Sequence, residues 1–371
     1  MILTIALLVL GLALLVAGGE VLVRGASGLG RALGLSPLII GLTVVAFATS
    51  APELAVSIDA TTSGAAGLAV GNVVGSNITN ILLVLGLAAL VTPVVAGSQL
   101  VRIDVPVMIG LAALLLALTL DGSVSRVDAV LLLAVLVVYL GWSIRAARQN
   151  GSRSPDPEPG AGSSSDPPPA RRRPLLDVVL VIAGVALLVA GARFLVDAAT
   201  EIAEAAGLSD LVIGLTVVAI GTSLPEVATS IIAAARGERE MAIGNVVGSN
   251  IFNVGAVMGI TALVAPDGVP VDAAAIRFDL PVMVVVAVAL LPVVFTGAVI
   301  ARWEGALFLA YYSAYVAYLL LAAADHDALP TYSATLLWFA IPLTVTTLVV
   351  LSGREIRARR ASPPRPTSSA H

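Results

Sequence analysis

Cysteine and lysine are missing from this 371-residue chain, and histidine occurs only twice. Without cysteine the chain can form neither disulfides nor thiolate metal centres. His326 lies in a short predicted loop and His371 is the last residue. No histidine is therefore available inside an apolar segment for a zinc site or a Ser–His pair. These absences remove the usual residues of membrane enzymes, and we predict that the protein is not an enzyme and uses no cofactor.

Charged residues are also scarce. They make up 12% of the chain, whereas 58% of the residues are hydrophobic. A soluble domain carries about a quarter charged residues, so this composition indicates an integral membrane protein. The net charge of −4 is small and points to no nucleic-acid partner.

Apolar runs long enough to cross a bilayer occur eleven times. Because every backbone polar group must be satisfied within the lipid, such runs predict an all-α protein. The first run lacks a basic leader and a small-residue cleavage motif, so we predict a permanent helix rather than a signal peptide. The predicted spans cover residues 2–23, 36–58, 66–91, 103–120, 126–145, 175–196, 209–235, 239–264, 278–298, 303–323 and 330–351.

Arginine placement predicts the orientation, because cytoplasmic loops collect positive charge. With the N-terminus outside and the C-terminus cytoplasmic, nearly all arginines between spans fall on the cytoplasmic side. Arg126 and Arg277 are the exceptions. We predict a multi-pass protein of the plasma (inner) membrane. Three charged groups near span ends are interpreted as interfacial anchors: Glu20 with Arg24, Arg102 with Asp104, and Arg277 with Asp279.

A long internal repeat divides the chain. Residues 41–57 (GLTVVAFATSAPELAVS) and 214–230 (GLTVVAIGTSLPEVATS) agree at twelve of seventeen positions. Residues 71–80 (GNVVGSNITN) and 244–253 (GNVVGSNIFN) agree at nine of ten, also 173 residues apart. RIDVPVM at 102–108 matches RFDLPVM at 277–283. The repeat therefore relates spans one to five with spans six to ten.

Five spans is an odd number, so the second copy must enter the membrane from the opposite side. This is the inverted-repeat arrangement of secondary transporters, whose sites lie near the midplane between repeats. We predict a first five-helix repeat at 1–150 and a second at 175–325. A Pro-, Ser- and Gly-rich cytoplasmic linker at 151–174 joins them, and an extra span with a cytoplasmic tail follows at 326–371.

Glu53 and Glu226 are the central candidates for function. Each lies within an apolar run, at the same repeat position. A charged side chain at the centre of a membrane helix costs roughly 2.5–3.5 kcal/mol on insertion scales. No lysine or arginine is placed to neutralise both, so a bound cation is the natural partner. The inverted repeat predicts that the two carboxylates approach each other from opposite sides.

The neighbours of these carboxylates offer oxygen ligands for a hard cation. Pro52 and Pro225 cannot donate to the carbonyls of Ala48 and Gly221, so we predict a broken helix at each carboxylate. Side chains four residues apart share a helix face. The candidates that this pattern adds are Thr49, Ser50, Ser76, Asn80, Thr222, Ser223, Ser249 and Asn253. Asn72, Asn77, Asn245 and Asn250 are interpreted mainly as interhelical hydrogen-bonding residues.

TSAPE with GNVVGSNITN, and TSLPE with GNVVGSNIFN, resemble the two alpha-repeats of the cation/calcium exchanger superfamily. The similarity is greatest to its prokaryotic sodium/calcium exchanger branch. The resemblance implies ten core helices, with the motif helices at the centre and the first and sixth helices sliding against them. It implies several sodium ions moving against one calcium. The implied ligands are Glu53, Glu226, Thr49, Thr222, Ser50, Ser223, Ser76, Ser249 and Asn80, with the backbone carbonyls of Ala46 and Ala219.

One position departs from part of the family. Some members carry Asp where this chain has Asn253, so the site here has two carboxylates rather than three. This argues against the potassium-dependent branch.

We therefore predict an electrogenic antiporter that exchanges sodium for calcium by alternating access. Its partners are the two ions and the bilayer, and no obligate protein partner is evident. A proton/calcium exchanger, or an exchanger of another divalent cation, on the same scaffold is the nearer alternative. A cation channel is the alternative from another class, but the flanking spans offer little of the continuous polar lining that a channel needs.

Overall fold

The computed structural model describes residues 2–151, 174–206, 217 and 219–361. The predicted linker at 151–174 lies outside the described residues except for its two end residues. So does the end of the tail, from residue 362. Within the described residues the fold is almost entirely helical.

Eleven helical spans, α1 to α11, follow one another along the chain. Ten of them, in the described part, are long and apolar enough to cross a membrane, which confirms ten of the predicted spans. The seventh is described only from Ala219, so its predicted beginning near residue 209 is not described. The spans are α1 Ile2–Leu33, α2 Pro37–Thr62, α3 Gly67–Val91, α4 Leu100–Asp121, α5 Arg126–Gly151, α6 Pro174–Ala205, α7 Ala219–Gly221 with Leu224–Ala235, α8 Arg239–Val264, α9 Ala275–Phe295, α10 Arg302–Ala323 and α11 Leu329–Leu351.

Helices α1 and α6 are longer than predicted. The expected ends at residues 23 and 196 are wrong, because both helices continue for about ten residues more. A 32-residue helix is about 48 Å long, whereas the hydrocarbon core is about 30 Å thick. Hydropathy detects only the apolar part, so Arg24, Arg31 and Glu201 lie in helices and not in loops.

Glycines spaced seven residues apart bring α1 and α6 into backbone contact. A Cβ at Gly11 would lie 2.9 Å from the carbonyl oxygen of Gly191, and one at Gly18 would lie 2.7 Å from the nitrogen of Leu188. As the residue number rises along α1, the number of its partner falls along α6, so the two helices are antiparallel. Equivalent helices of the two repeats thus run in opposite directions, which confirms the predicted inverted arrangement.

Two short β-ribbons join the repeats. Strand β1 (Val94–Val95) pairs with β4 (Val299–Ile300), and β2 (Ser123–Val124) pairs with β3 (Val269–Pro270), both antiparallel. The first ribbon lies on the face where α1 ends and α2 begins, which we call the arginine-rich face. The second lies on the opposite face. Each ribbon links a loop of one repeat to a loop of the other, so the two repeats are connected at both faces.

Helices α5 and α10 begin in the same way in both repeats. The backbone nitrogen of Ser125 donates to Asp128 over 2.9 Å, and that of Ala301 donates to Glu304 over 2.8 Å. An acidic side chain that accepts from the N-cap backbone satisfies a free donor at the helix start.

The last helix, α11, lies at the periphery. Tyr311 of α10 donates to the carbonyl of Ala340 over 3.0 Å, and Tyr332 of α11 donates to the carbonyl of Ala314 over 2.9 Å. None of the 18-residue hydropathic segment of α11 is buried within the chain. It adds a span to the repeats without entering the core, as predicted.

The contact between α1 and α6 predicts a sharp difference between two glycines. Gly18→Ala places a methyl group against the backbone of α6 and should destabilise the protein by about 1–3 kcal/mol. Gly110→Ala is the matched control, because Gly110 is an exposed glycine of α4 with no described neighbour within 4 Å of the new Cβ. Thermal unfolding in detergent should show a lower midpoint for Gly18→Ala and an equal or higher one for Gly110→Ala. Equal midpoints for both variants would contradict the proposed close packing.

Candidate cation-binding site

Helix α2 is broken beside its acidic residue, as predicted. A short helical turn, Ala46–Thr49, ends at Ser50, whose ψ is 0°, and a new helix starts at Ala51. Pro52 occupies the second position of that helix, where its missing N–H costs nothing. The break therefore comes from a proline placed where a helix can begin but not continue.

Helix α7 shows the same break. The turn Ala219–Gly221 is followed by Thr222 and Ser223, and a second helix runs from Leu224 to Ala235. Pro225 again occupies the second position. The repeated sequence TSxPE thus produces the same local backbone twice.

Glu53 and Glu226 lie in the first turns of these second half-helices. Both are fully buried, and the half-helix of Glu226 packs against the turn Ala46–Thr49 that precedes Glu53. In the described part of the chain, neither makes a salt bridge, and no well-formed hydrogen bond reaches their four carboxylate oxygens. The hydroxyls of Thr49 and Ser249 lie near the carboxylate of Glu226. The positive end of each helix dipole offsets part of the negative charge. The repeats therefore bring the two acidic segments together, and the approach of the two carboxylates stays a prediction.

Two π-helical segments carry the candidate amides. Asn80 begins the π-helix Asn80–Val84 of α3, and Asn253 begins the π-helix Asn253–Met258 of α8. The half-helix with Glu53 packs against the segment that starts at Asn253, and the half-helix with Glu226 packs against the one that starts at Asn80. Such π-bulges are frequent at functional sites. Each carboxylate helix thus meets an amide segment of the other repeat.

Hydrogen bonds between helices support one side of the site. Thr49 Oγ1 donates to Asn245 Oδ1 over 3.1 Å, and Asn245 Nδ2 donates to Ser230 Oγ over 3.0 Å. The hydroxyls of Thr49 and Ser249 also lie 3.3 Å apart. Asn245 therefore connects α2, α7 and α8.

The same arrangement occurs on the repeat-related side. Thr222 Oγ1 lies 3.5 Å from Asn72 Oδ1, and Asn72 Nδ2 donates to Ser57 Oγ over 2.9 Å. Asn72 Nδ2 also donates to the backbone carbonyl of Glu53 over 3.1 Å. The interpretation of Asn72 and Asn245 as interhelical hydrogen-bonding residues is confirmed.

Most of the predicted ligand side chains are buried without a partner among the described residues. Thr222 is half-buried, and the carbonyl of Ala46 already accepts from Ser50 N over 2.9 Å. Ala219 is described through its backbone only. The assignment of ligands stays a prediction, and its main support is the set of unpartnered side chains: Ser50, Glu53, Ser76, Asn80, Ser223, Glu226 and Asn253.

A small cavity marks the axis that relates the repeats. Its lining consists of four equivalent pairs, one from each repeat: Asn77 with Asn250, Ile81 with Val254, Met108 with Met283, and Ala112 with Ala287. Asn77 and Asn80 are three residues apart in α3, as Asn250 and Asn253 are in α8. The cavity therefore lies beside the candidate site, close to the axis of symmetry.

Two further Asp–Tyr pairs, one buried and one half-buried, were not predicted. Asp104 is fully buried and accepts from Tyr139 Oη over 2.9 Å, so its interpretation as an interfacial anchor is wrong. Asp279 accepts from Tyr315 Oη over 3.2 Å. The duplicated RIDVPVM and RFDLPVM segments contained a signal for these pairs, because the two tyrosines recur 176 residues apart.

Comparison with known proteins matches residues 3–145 and 176–321 to the model of the sodium/calcium exchanger protein family. The inner membrane protein YrbG of Escherichia coli is 41% identical over 291 residues, which cover 78% of this chain and 87% of that protein. The sodium/calcium exchanger MaX1 of Methanosarcina acetivorans is 33% identical over 319 residues, covering 78% and 91%. A solved structure of the sodium-calcium exchanger NCX_Mj superposes with a TM-score of 0.71 at 34% identity, covering 86% of this chain and 99% of NCX_Mj.

The hydrogen bonds around the site predict unequal effects for two equivalent substitutions. Asn245 is fully buried, whereas Asn72 is half-buried. Asn245→Ala leaves the fully buried hydroxyl of Ser230 without its donor, at a cost of about 1–3 kcal/mol. In the Asn72→Ala variant, water can reach part of the space that the removed amide side chain leaves. Thermal unfolding in detergent should show a larger decrease in midpoint for Asn245→Ala, and the reverse order would contradict this account of the packing.

Proposed function

This chain belongs to the sodium/calcium exchanger protein family, and we infer that it is a secondary antiporter that exchanges sodium for calcium across a membrane. The observation that carries this function is the pair Glu53 and Glu226, buried at equivalent positions of inverted repeats with no salt bridge from the described residues. Two buried negative charges require compensation, and a divalent cation supplies it.

The donor set suits a hard cation. Carboxylate, hydroxyl and amide oxygens converge from α2, α3, α7 and α8, and calcium prefers six to eight such oxygens. Sodium is also a hard cation that the same oxygens can hold. The proposed ligands are Glu53 and Glu226, with Thr49, Ser50, Ser76, Asn80, Thr222, Ser223, Ser249 and Asn253, and the carbonyls of Ala46 and Ala219.

Exchange follows from the charge of the site. When calcium binds, the two carboxylates are neutralised together. Sodium ions compete for the same oxygens, so the site holds one kind of ion at a time. An empty site leaves two uncompensated negative charges in a region of low dielectric constant, so the protein changes conformation in that state only at a high free-energy cost. A bound cation compensates the charges and removes this cost. This difference couples the movement of the two ions, and several sodium ions against one calcium make the exchange electrogenic.

The protein is a multi-pass membrane protein, and its similarity to YrbG supports a place in the inner membrane. With the N-terminus outside, the arginine-rich face is cytoplasmic, in line with the positive-inside rule. The two repeats then enter the membrane from opposite sides, and the linker at 151–174 that joins them is cytoplasmic. The function requires the two ions and the bilayer, and neither a cofactor nor a chemical reaction.

Removing one carboxylate charge should abolish transport. Glu53→Gln and Glu226→Gln each leave a single negative charge against a divalent cation. Sodium-gradient-driven ⁴⁵Ca²⁺ uptake into proteoliposomes should decrease to background for both. Glu304→Gln is the matched control, because Glu304 is a buried carboxylate that caps α10 away from the site. Wild-type uptake by Glu53→Gln would remove this residue from the site.

The coupling ion is tested with the same vesicles. Calcium uptake is measured with sodium, potassium and pH gradients imposed one at a time. We expect uptake with the sodium gradient alone, accelerated by a membrane potential of the favourable sign. Uptake that follows the pH gradient without sodium would favour the proton/calcium alternative. Unitary currents in planar bilayers would instead indicate a channel.

A further inference from the structure

Charged side chains tie the end of α1 to α7 at the arginine-rich face. Glu20 accepts from Arg24 over 2.8 Å and from Arg236 Nε over 2.6 Å, and it makes a second contact with the Arg236 guanidinium. Arg236 is the C-cap residue of the half-helix that carries Glu226. The sequence predicts an anchor in which Glu20 pairs with Arg24 alone, and the structure adds a bond from Glu20 to Arg236 of another helix.

A second contact follows two turns further along α1. Ser27 Oγ of α1 lies 3.3 Å from Glu238 Oε1, at the turn between α7 and α8. Gly19 permits this approach, since a Cβ there would lie 2.6 Å from the side chain of Ile232. The last third of α1 is therefore held against the half-helix of Glu226.

The equivalent contacts cannot form at the opposite face. The 173-residue offset of the repeat relates Glu20 to Arg193 and Arg236 to Ser63. It relates Ser27 to Thr200 and Glu238 to Ala65. An arginine facing a serine makes no ion pair, so the repeat does not reproduce this charged contact at the opposite face.

The exposure of side chains also differs between the two faces, and it is lower on the side of the ion pair. Thr229 of α7 is 0% exposed, whereas its repeat equivalent, Val56 of α2, is 37% exposed. No residue of α7 from 224 to 234 is exposed, but Ala51, Ala55 and Val56 of α2 are. The half-helix next to the ion pair is covered, and its counterpart is not.

We propose that the Glu20–Arg236 ion pair is a one-sided latch that favours the conformation closed at the arginine-rich face. The proposal deepens the antiport function and rests on it, because only a protein with alternating access has two such conformations. In the antiport cycle the latch opens once per turnover. It therefore biases the resting protein toward the conformation that is open at the opposite face.

The strength of the contact suits this role. Both side chains are about one third exposed, at 35% and 33%, and exposed ion pairs shift an equilibrium by roughly twofold to fivefold. A pair of this strength biases the conformation without blocking the cycle. A fully buried pair would hold the face closed much more firmly.

The chain has no cysteine, so single cysteines report directly on each face. Thr229→Cys and Val56→Cys are a matched pair at equivalent positions of the two repeats. Each is combined with Glu20→Gln, with Arg236→Gln or with Arg236→Lys, and the protein is reconstituted in nanodiscs. The measured quantity is the rate of labelling by a charged, water-soluble maleimide, with both faces accessible to the reagent.

We expect Glu20→Gln and Arg236→Gln to raise the labelling rate at position 229 by about twofold to fivefold and to lower it at position 56. Arg236→Lys keeps the charge and should label like the parent. An unchanged rate at position 229 in both neutral variants would overturn the latch, and so would an equal rise at both positions, which indicates general loosening.

The labelling measurement does not depend on the transported ions. A parent protein that fails to carry calcium in vesicles would contradict the antiport function, whatever the labelling shows. A parent that exchanges normally, with position 229 insensitive to both neutral substitutions, would contradict the latch alone.

Discussion

One electrostatic constraint underlies the site: two carboxylates that repel each other are buried together in a medium of low dielectric constant, and their charge must be compensated. Glu53 and Glu226 are fully buried, and no salt bridge in the described part of the chain neutralises either of them. Their cost is offset in part by the helix dipoles of two half-helices, each of which begins two residues before its glutamate. The remainder requires a cation. Binding and transport are thus two aspects of one electrostatic requirement.

The surrounding protein supports the two carboxylates with equivalent contacts, one set from each repeat. Asn245 and Asn72 connect the helices of the site in the same way on both sides. The two β-ribbons then connect the repeats at both faces. A site built in this way presents the same kinds of groups toward either side of the membrane, which is what an exchanger with one site requires.

Much of this arrangement could be predicted from the sequence, because the repeat places each motif twice. The breaks at Ser50 and Ser223 followed from prolines with known geometry. The π-helices at Asn80 and Asn253 could not be predicted, since their sequences read as ordinary apolar helix. The bond between Asp104 and Tyr139 was also missed, because it joins residues 35 positions apart and depends on how α4 and α5 pack. The extended ends of α1 and α6 were not predicted, because hydropathy marks the apolar part of a helix and not its full length.

The antiparallel contact between α1 and α6 has a consequence for leakage. Backbones this close, at Gly11 and Gly18, leave no room for the two helices to shift independently. Helix α1 packs against the half-helix that carries Glu226, whereas its repeat equivalent α6 leaves the half-helix that carries Glu53 partly exposed. A displacement of the joined pair that uncovers one entrance must therefore cover the second. A continuous water path would require the pair to separate, so its tight seam protects the ion gradients that the cell maintains.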